Sequence, residues 1–176
     1  YNVDRYFIAY DKSKILNIST IEKYDSEKMY KIYDNWPEIA RESFESKQEP
    51  IDFQDIDHIV FAGMGGSGSI GDVFSSILSK TDIHVSLVKG YILPKTVDKN
   101  TLVVVTSVSG NTSETLTVLD SAKKMDCKLI AFSSGGKMEK MCKNNNIVFR
   151  KIPFFHSPRT SLVNFVYSIL NTLNPV

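Results

Sequence analysis

From Asp57 onward, short apolar runs alternate with longer segments of helical periodicity. The apolar runs fall at 58–62, 83–88, 101–106, 128–132 and 146–149. Helical patterns occupy 67–79, 112–125 and 136–144, and a last one runs over 159–173. This alternation predicts a parallel sheet covered by helices on both faces. The run Leu102-Val103-Val104-Val105 is apolar at successive positions, so both of its faces must be buried. That is the pattern of a central parallel strand.

Residues 1–50 read differently, with many charges and aromatics and little glycine. Met29, Ile32, Tyr33, Trp36 and Ile39 recur at three- and four-residue spacing, which predicts helix over 26–46. Pro37 begins a new helix there or kinks this one. The expectation is a largely helical arm over 1–50, packed on the domain or on a partner subunit, followed by one α/β domain over 51–176.

Composition narrows the function classes. The chain has 176 residues, with 21 basic and 20 acidic side chains and a net charge of +1. It lacks the strongly basic balance of a general nucleic-acid binder, so no nucleic-acid partner is expected. The two cysteines, Cys127 and Cys142, have no zinc-site spacing and read as thiols of a reducing compartment. No apolar run approaches the ~20 residues that span a bilayer, and none resembles a signal-peptide core. The expectation is a cytoplasmic protein with no membrane partner.

Two glycine- and serine-rich loops carry the chemistry. The first is Gly63-Met64-Gly65-Gly66-Ser67-Gly68-Ser69, entered from His58-Ile59-Val60-Phe61-Ala62. The second is Thr106-Ser107-Val108-Ser109-Gly110-Asn111-Thr112, entered from the 102–105 strand. Each leads from a strand into a helix N-terminus, where free amides and the helix dipole attract an anion. In an open parallel sheet, ligands sit beyond the carboxyl ends of the strands. Glycine lets the backbone approach closely, and the hydroxyls of Ser67, Ser107, Ser109 and Thr112 can donate to phosphate oxygens. Neither loop contains lysine or arginine, so dipoles and neutral donors would meet the charge.

Structural roles compete with this reading. Ser, Thr and Asn are common helix caps, and Asn111 with Glu114 has capping-box spacing. Gly63-x-Gly65-x-x-Gly68 also fits a dinucleotide fingerprint, which needs a carboxylate about twenty positions on, at the end of the next strand. That strand ends at Lys89 instead. Lys89 could suit a 2′-phosphate, but the second loop would then go unexplained. No lysine follows the glycines in Walker spacing.

Both loops resemble the phosphate loops of the sugar isomerase (SIS) domain family, and Ser133-Ser134-Gly135-Gly136 resembles a further turn of that family. The resemblance covers about residues 50–174. It implies a three-layer αβα sandwich with a five-stranded parallel sheet of flavodoxin-like type. The GMGGSGS form continuing into Ile70-Gly71-Asp72, and Pro158-Arg159-Thr160-Ser161 at the start of the last helix, resemble one branch, the bifunctional phosphoglucose/phosphomannose isomerases. That branch implies interconversion of aldose and ketose 6-phosphates by proton transfer between C2 and C1 through an enediolate, with no metal or redox cofactor. Its phosphate contacts fall on Gly66, Ser67, Ser107, Ser109 and Thr112, and its active-site arginine on Arg159. The ordinary alternative for Arg159 is a helix-start arginine paired with a neighbouring carboxylate.

Members of this branch carry two such domains, and their base glutamate, ring-opening histidine and lysine lie in the second. Those residues have no matching positions here, so the second domain is expected to be absent. His156 maps to none of them and reads as a solvent-exposed loop histidine. Asp72 is the remaining candidate base, by analogy with single-domain members that carry a glutamate in the helix after the first loop. Two alternatives stay open: a complete single-domain isomerase of another phosphosugar working as a homo-oligomer, and a non-catalytic phosphosugar sensor. The expected partners are a sugar phosphate and, because such domains associate in pairs, a second copy of the chain.

Overall fold

A computed structural model describes residues 17–49, 51 and 53–174. Three helices come first: α1 (Ile18–Tyr24), α2 (Met29–Asp34) and α3 (Trp36–Glu45). The helix expected over 26–46 is therefore two helices. Pro37 lies in the first turn of α3, where its missing N–H costs nothing. Residues 1–16 of the expected arm lie outside the described residues.

The α/β pattern is as expected from the alternation. It runs β1 (His58–Ala62), α4 (Gly66–Leu78), β2 (His84–Val88), β3 (Thr101–Ser107), α5 (Ser113–Ala122), β4 (Lys128–Ser133), α6 (Gly136–Asn144), β5 (Val148–Lys151) and α7 (Leu162–Leu173). The strands form one five-stranded sheet in the order β2-β1-β3-β4-β5, with every pairing parallel. The last strand lies two residues later than its apolar run, because Asn146 takes a left-handed φ of 53° in the turn before it.

Alternate residues of the central strands feed two cores. Ile59, Phe61, Leu102, Val104, Ile130 and Phe132 point to one face and pack with Ile70 and Phe74 of α4 and Phe165 and Ile169 of α7. Val60, Ala62, Val103, Val105 and Ala131 point to the other, under Val118 and Leu119 of α5 and Met138 and Cys142 of α6. Two-sided burial explains the unbroken apolar run of β3, where Leu102, Val103, Val104 and Val105 are fully buried. Burial pushes the Cys142 thiol up to about 11, so it packs as an inert apolar group. Among the described residues, no helix is long and apolar enough to cross a membrane.

The arm packs on this domain through α3 and α7. Ser43 Oγ donates to Asn164 Oδ1 at 2.6 Å, Asn171 Nδ2 to the Ser46 carbonyl at 2.8 Å, and Trp36 Nε1 to the Thr160 carbonyl at 3.0 Å. His156 is an exposed loop residue, as expected, and it has a partner. Its Nε2 stands 2.7 Å from Glu27 Oε2, so it ties the turn before α7 to the segment before α2.

The opposite end of the sheet holds a polar pair. His58 and His84 are register partners on β1 and β2, with ring centroids 4.9 Å apart. His58 is buried, with Nε2 at 2.9 Å from Ser86 Oγ and Nδ1 at 3.2 Å from Thr101 Oγ1. Desolvation, and secondarily the neighbouring His84, hold its pKa below the ordinary 6.5, against the pull of Asp98 and Asp57. The fold therefore favours the neutral ring. The stability this gives is complete above the unfolded value and falls as pH drops below it, where the unfolded chain binds the proton more readily. Denaturant unfolding should show stability declining from about pH 7.5 to about 5.5, and His58→Gln should flatten that slope. An unchanged slope in the variant would contradict the assignment.

Candidate functional site

The sheet order places β1 between β2 and β3, so the connections leaving β1 toward β2 and β3 toward β4 run in opposite directions. A crevice opens at such a switch point, outside the carboxyl ends of the strands. The turns after β1 and β3 flank it. Both continue into helices whose first turns have no side-chain cap, α4 with Gly65 and α5 with Thr112 at the N-cap. The first amides of each helix have no intrahelical partner, and the dipole adds partial positive charge there. The Ser67 amide turns back to the Met64 carbonyl at 3.1 Å, which tightens the first loop.

The first loop depends on backbone contact. The Gly63 amide donates to the Val88 carbonyl at 3.0 Å, joining the loop to the end of β2. A Cβ on Gly63 would stand 2.6 Å from the Ser67 carbonyl oxygen. Gly65 has φ 53° and ψ −125°, a conformation that side-chain-bearing residues avoid. Gly66 is exposed and Ser67 half-buried at the opening of α4.

In the second loop the predicted residues separate into two kinds. Ser107 is 2% exposed, and its hydroxyl is committed to the turn. It accepts from the Gly110 amide at 3.1 Å and shares a hydrogen bond with Thr112 Oγ1 at 3.0 Å. Ser109 is exposed, and its Oγ accepts from the Asn111 amide at 3.3 Å. Thr112, half-buried, leads into α5. Ser107 thus orients Thr112, while Ser109 lies exposed on the loop.

Asn111 does not cap α5, as its spacing from Glu114 had suggested. Its Oδ1 accepts from the Lys137 amide in the first turn of α6 at 3.1 Å, and its Nδ2 donates to the Ser109 carbonyl at 3.1 Å. The third helix N-terminus at this end of the sheet is therefore occupied by a side chain, while those of α4 and α5 are not. Glu114 instead receives the Tyr91 hydroxyl, and its charge raises the phenol above its ordinary pKa.

Two further side chains border the crevice from the segment after β2. One is Tyr91. The other is Lys89, whose Nζ donates to both carboxylate oxygens of Asp72 on α4, at 2.9 and 2.8 Å. Sequence spacing marked Lys89 only as the residue standing where a ribose-binding carboxylate would be. Its nearness to the first loop follows from β2 being the neighbour of β1, which sequence order alone does not give.

Arg159 is exposed in the turn before α7. Among the described residues, no hydrogen bond or ion pair joins its side chain to either loop or to a carboxylate. It follows β5, two strands away from β3. The structure sets Gly66 and Ser67 in the turn after β1, and Ser107, Ser109 and Thr112 in the turn after its neighbour β3, with Ser107 buried; Arg159 lies further along the same edge of the sheet, after β5.

The second and third turns are interlocked. The Ser134 amide donates to the Val108 carbonyl at 3.1 Å and the Met138 amide to the Gly110 carbonyl at 2.9 Å. A Cβ on Gly110, at φ 66°, would overlap the Gly135 carbonyl.

The family model described as SIS domain matches residues 52–174. The chain is 34% identical over 138 residues to the bifunctional phosphoglucose/phosphomannose isomerase of Caldicellulosiruptor bescii, covering 76% of this chain and 41% of that protein. It is 38% identical over 115 residues to the protein of that name from Thermoplasma acidophilum, covering 65% of this chain and 35% of the relative. The chain therefore spans about two fifths of the length of these curated relatives. Among solved structures, a ligand complex of an E. coli CFT073 protein aligns with a TM-score of 0.60 and 22% identity, covering 89% of this chain and 90% of the other. That likeness speaks to the fold.

The glycine contacts yield a test. Gly110→Ala should destabilise the chain by about 1–3 kcal/mol, through overlap and left-handed strain. Gly66→Ala meets nothing within 4 Å and should change stability by at most about 1 kcal/mol. Equal midpoints for the two variants in denaturant unfolding would contradict the interlock.

Proposed function

The chain belongs to the SIS domain family, and from that premise we propose that it is the phosphosugar-binding domain of an aldose–ketose isomerase of the phosphoglucose/phosphomannose type. What supports this reading is the pair of helix N-termini without side-chain caps, α4 and α5, at the carboxyl ends of β1 and β3, on either side of the switch point. In this reading residues 51–176 form the binding domain and residues 1–50 its arm, the protein works in the cytoplasm, and a second copy of the domain is its partner.

In the proposed mechanism the substrate phosphate sits across the crevice. The Gly66 amide and the hydroxyls of Ser67, Ser109 and Thr112 donate to its oxygens, while the Ser67 amide holds the loop through the Met64 carbonyl and Ser107 fixes Thr112. Anchoring the phosphate orients the sugar so that C1 and C2 lie toward the reacting groups. Isomerisation then requires ring opening, removal of the C2 proton, and its return to C1 through an enediolate. Arg159 would stabilise the enediolate charge.

Among the described residues, the two carboxylates near the loops, Asp72 and Glu114, each have a partner in the ligand-free chain. In the ligand-free chain both Asp72 oxygens accept from Lys89. Glu114, in the first turn of α5, accepts from the Tyr91 hydroxyl. In this reading the base and ring-opening groups belong to a second SIS domain.

The test combines binding with turnover. Calorimetric titration of the 176-residue chain with glucose 6-phosphate should show binding, weakened about tenfold by Thr112→Val. Conversion to fructose 6-phosphate should be absent or far below the ~10 s⁻¹ of a typical enzyme. Absence of binding would overturn the phosphate assignment. Turnover at an ordinary enzymatic rate would overturn the placement of the base elsewhere.

A further inference from the structure

The phosphate loops hold neutral donors only, yet a sugar phosphate carries nearly two negative charges near neutral pH. Two helix N-termini contribute about half a positive charge each. The structure places one lysine where it can complete the neutralisation. Lys89 directly follows Val88, whose carbonyl receives the first-loop amide of Gly63 at 3.0 Å. Its side chain then runs along α4, with Cγ 3.4 Å from the point where a Gly68 side chain would begin. The stem is thus at ordinary contact distance from the first turn of α4.

The helix geometry fixes what the ammonium can reach. Gly68 lies about 3 Å along the axis from Gly66, at the helix N-terminus, and about 6 Å from Asp72. Measured along the helix axis, the Cγ end of the stem therefore lies nearer to the α4 N-terminus than to Asp72, while the ammonium reaches Asp72. The ammonium lies several rotatable bonds beyond Cγ. The Lys89 and Asp72 side chains are 50% and 49% exposed, and ion pairs exposed to this degree are weak. A phosphate at the α4 N-terminus would offer more charge and more acceptor oxygens than a single carboxylate.

We propose that Lys89 is the cation of the phosphate site, held by Asp72 when the crevice is empty and exchanged to the ligand phosphate on binding. Asp72 acts in this exchange as a competing anion that keeps Lys89 at the crevice edge. The proposal rests on the phosphate reading above. It adds a charged ligand contact from outside both loops and gives Asp72 a role other than base.

The two side chains predict opposite effects. The probe is inorganic phosphate, titrated calorimetrically into the full chain. Lys89→Met keeps the apolar stem beside Gly68 and should weaken binding about tenfold. Asp72→Asn removes the competitor and should strengthen binding by about threefold, half a tenfold step on the free-energy scale. The double variant should match Lys89→Met alone, since the competitor matters only while the lysine is present. If Asp72 and Lys89 merely brace β2 against α4, both single variants lose unfolding midpoint and both bind equally well or worse, which overturns the proposal. Wild-type binding with an unchanged Lys89→Met affinity overturns it while leaving the phosphate reading intact. A wild-type chain that binds no phosphate overturns both.

Discussion

A side chain at position 110 has no space, because the Gly135 carbonyl occupies the place where its Cβ would sit. The constraint is mutual. A Cβ on Gly136, at φ 71°, would stand 2.5 Å from the Ser109 carbonyl oxygen. The turns after β3 and β4 thus touch backbone to backbone. The rest of the candidate site depends on that contact, because it fixes the direction in which the second loop leaves the sheet. With the loop fixed, Ser107 can bury its hydroxyl against Gly110 and Thr112, and Asn111 can reach the first turn of α6.

The electrostatic consequence follows from which helix ends are filled. α4, α5 and α6 all begin at the carboxyl edge of the sheet, and each presents free amides there. At α6 the Asn111 amide oxygen accepts from Lys137, so one of those donors is already satisfied. At α4 and α5 no side chain performs that task. The unfilled ends flank the crevice where the sheet order reverses, and the filled one lies beyond it. Donors left open in a concave place are a cost to the empty chain that an anion can recover.

Much of the fold was legible because the central strands are buried on both faces. An unbroken apolar run such as 102–105 has few other uses in a chain this polar, and the strands at 58–62 and 128–133 follow the same logic. β5 was read two residues early because it is an edge strand with half-buried side chains, and its start is set by a left-handed turn at Asn146. The two loops were legible because glycine at close approaches leaves a compositional trace. The role of Asn111 was not, since spacing suggested a local cap on α5 while the actual partner lies on α6, 26 residues along the chain. Lys89 was hidden for a similar reason. Its relation to the first loop depends on β2 lying beside β1, a property of the sheet order and not of the local sequence.

The central claim is that the open ends of α4 and α5, and not that of α6, receive a phosphate. Backbone amide chemical shifts of the nitrogen-labelled chain, followed during titration with glucose 6-phosphate, test it residue by residue. The account predicts the largest changes at residues 65–68 and 109–114, converging on one affinity, with the Lys137 amide nearly unmoved behind Asn111. Changes centred on the first turn of α6, or spread evenly over the surface, would contradict it.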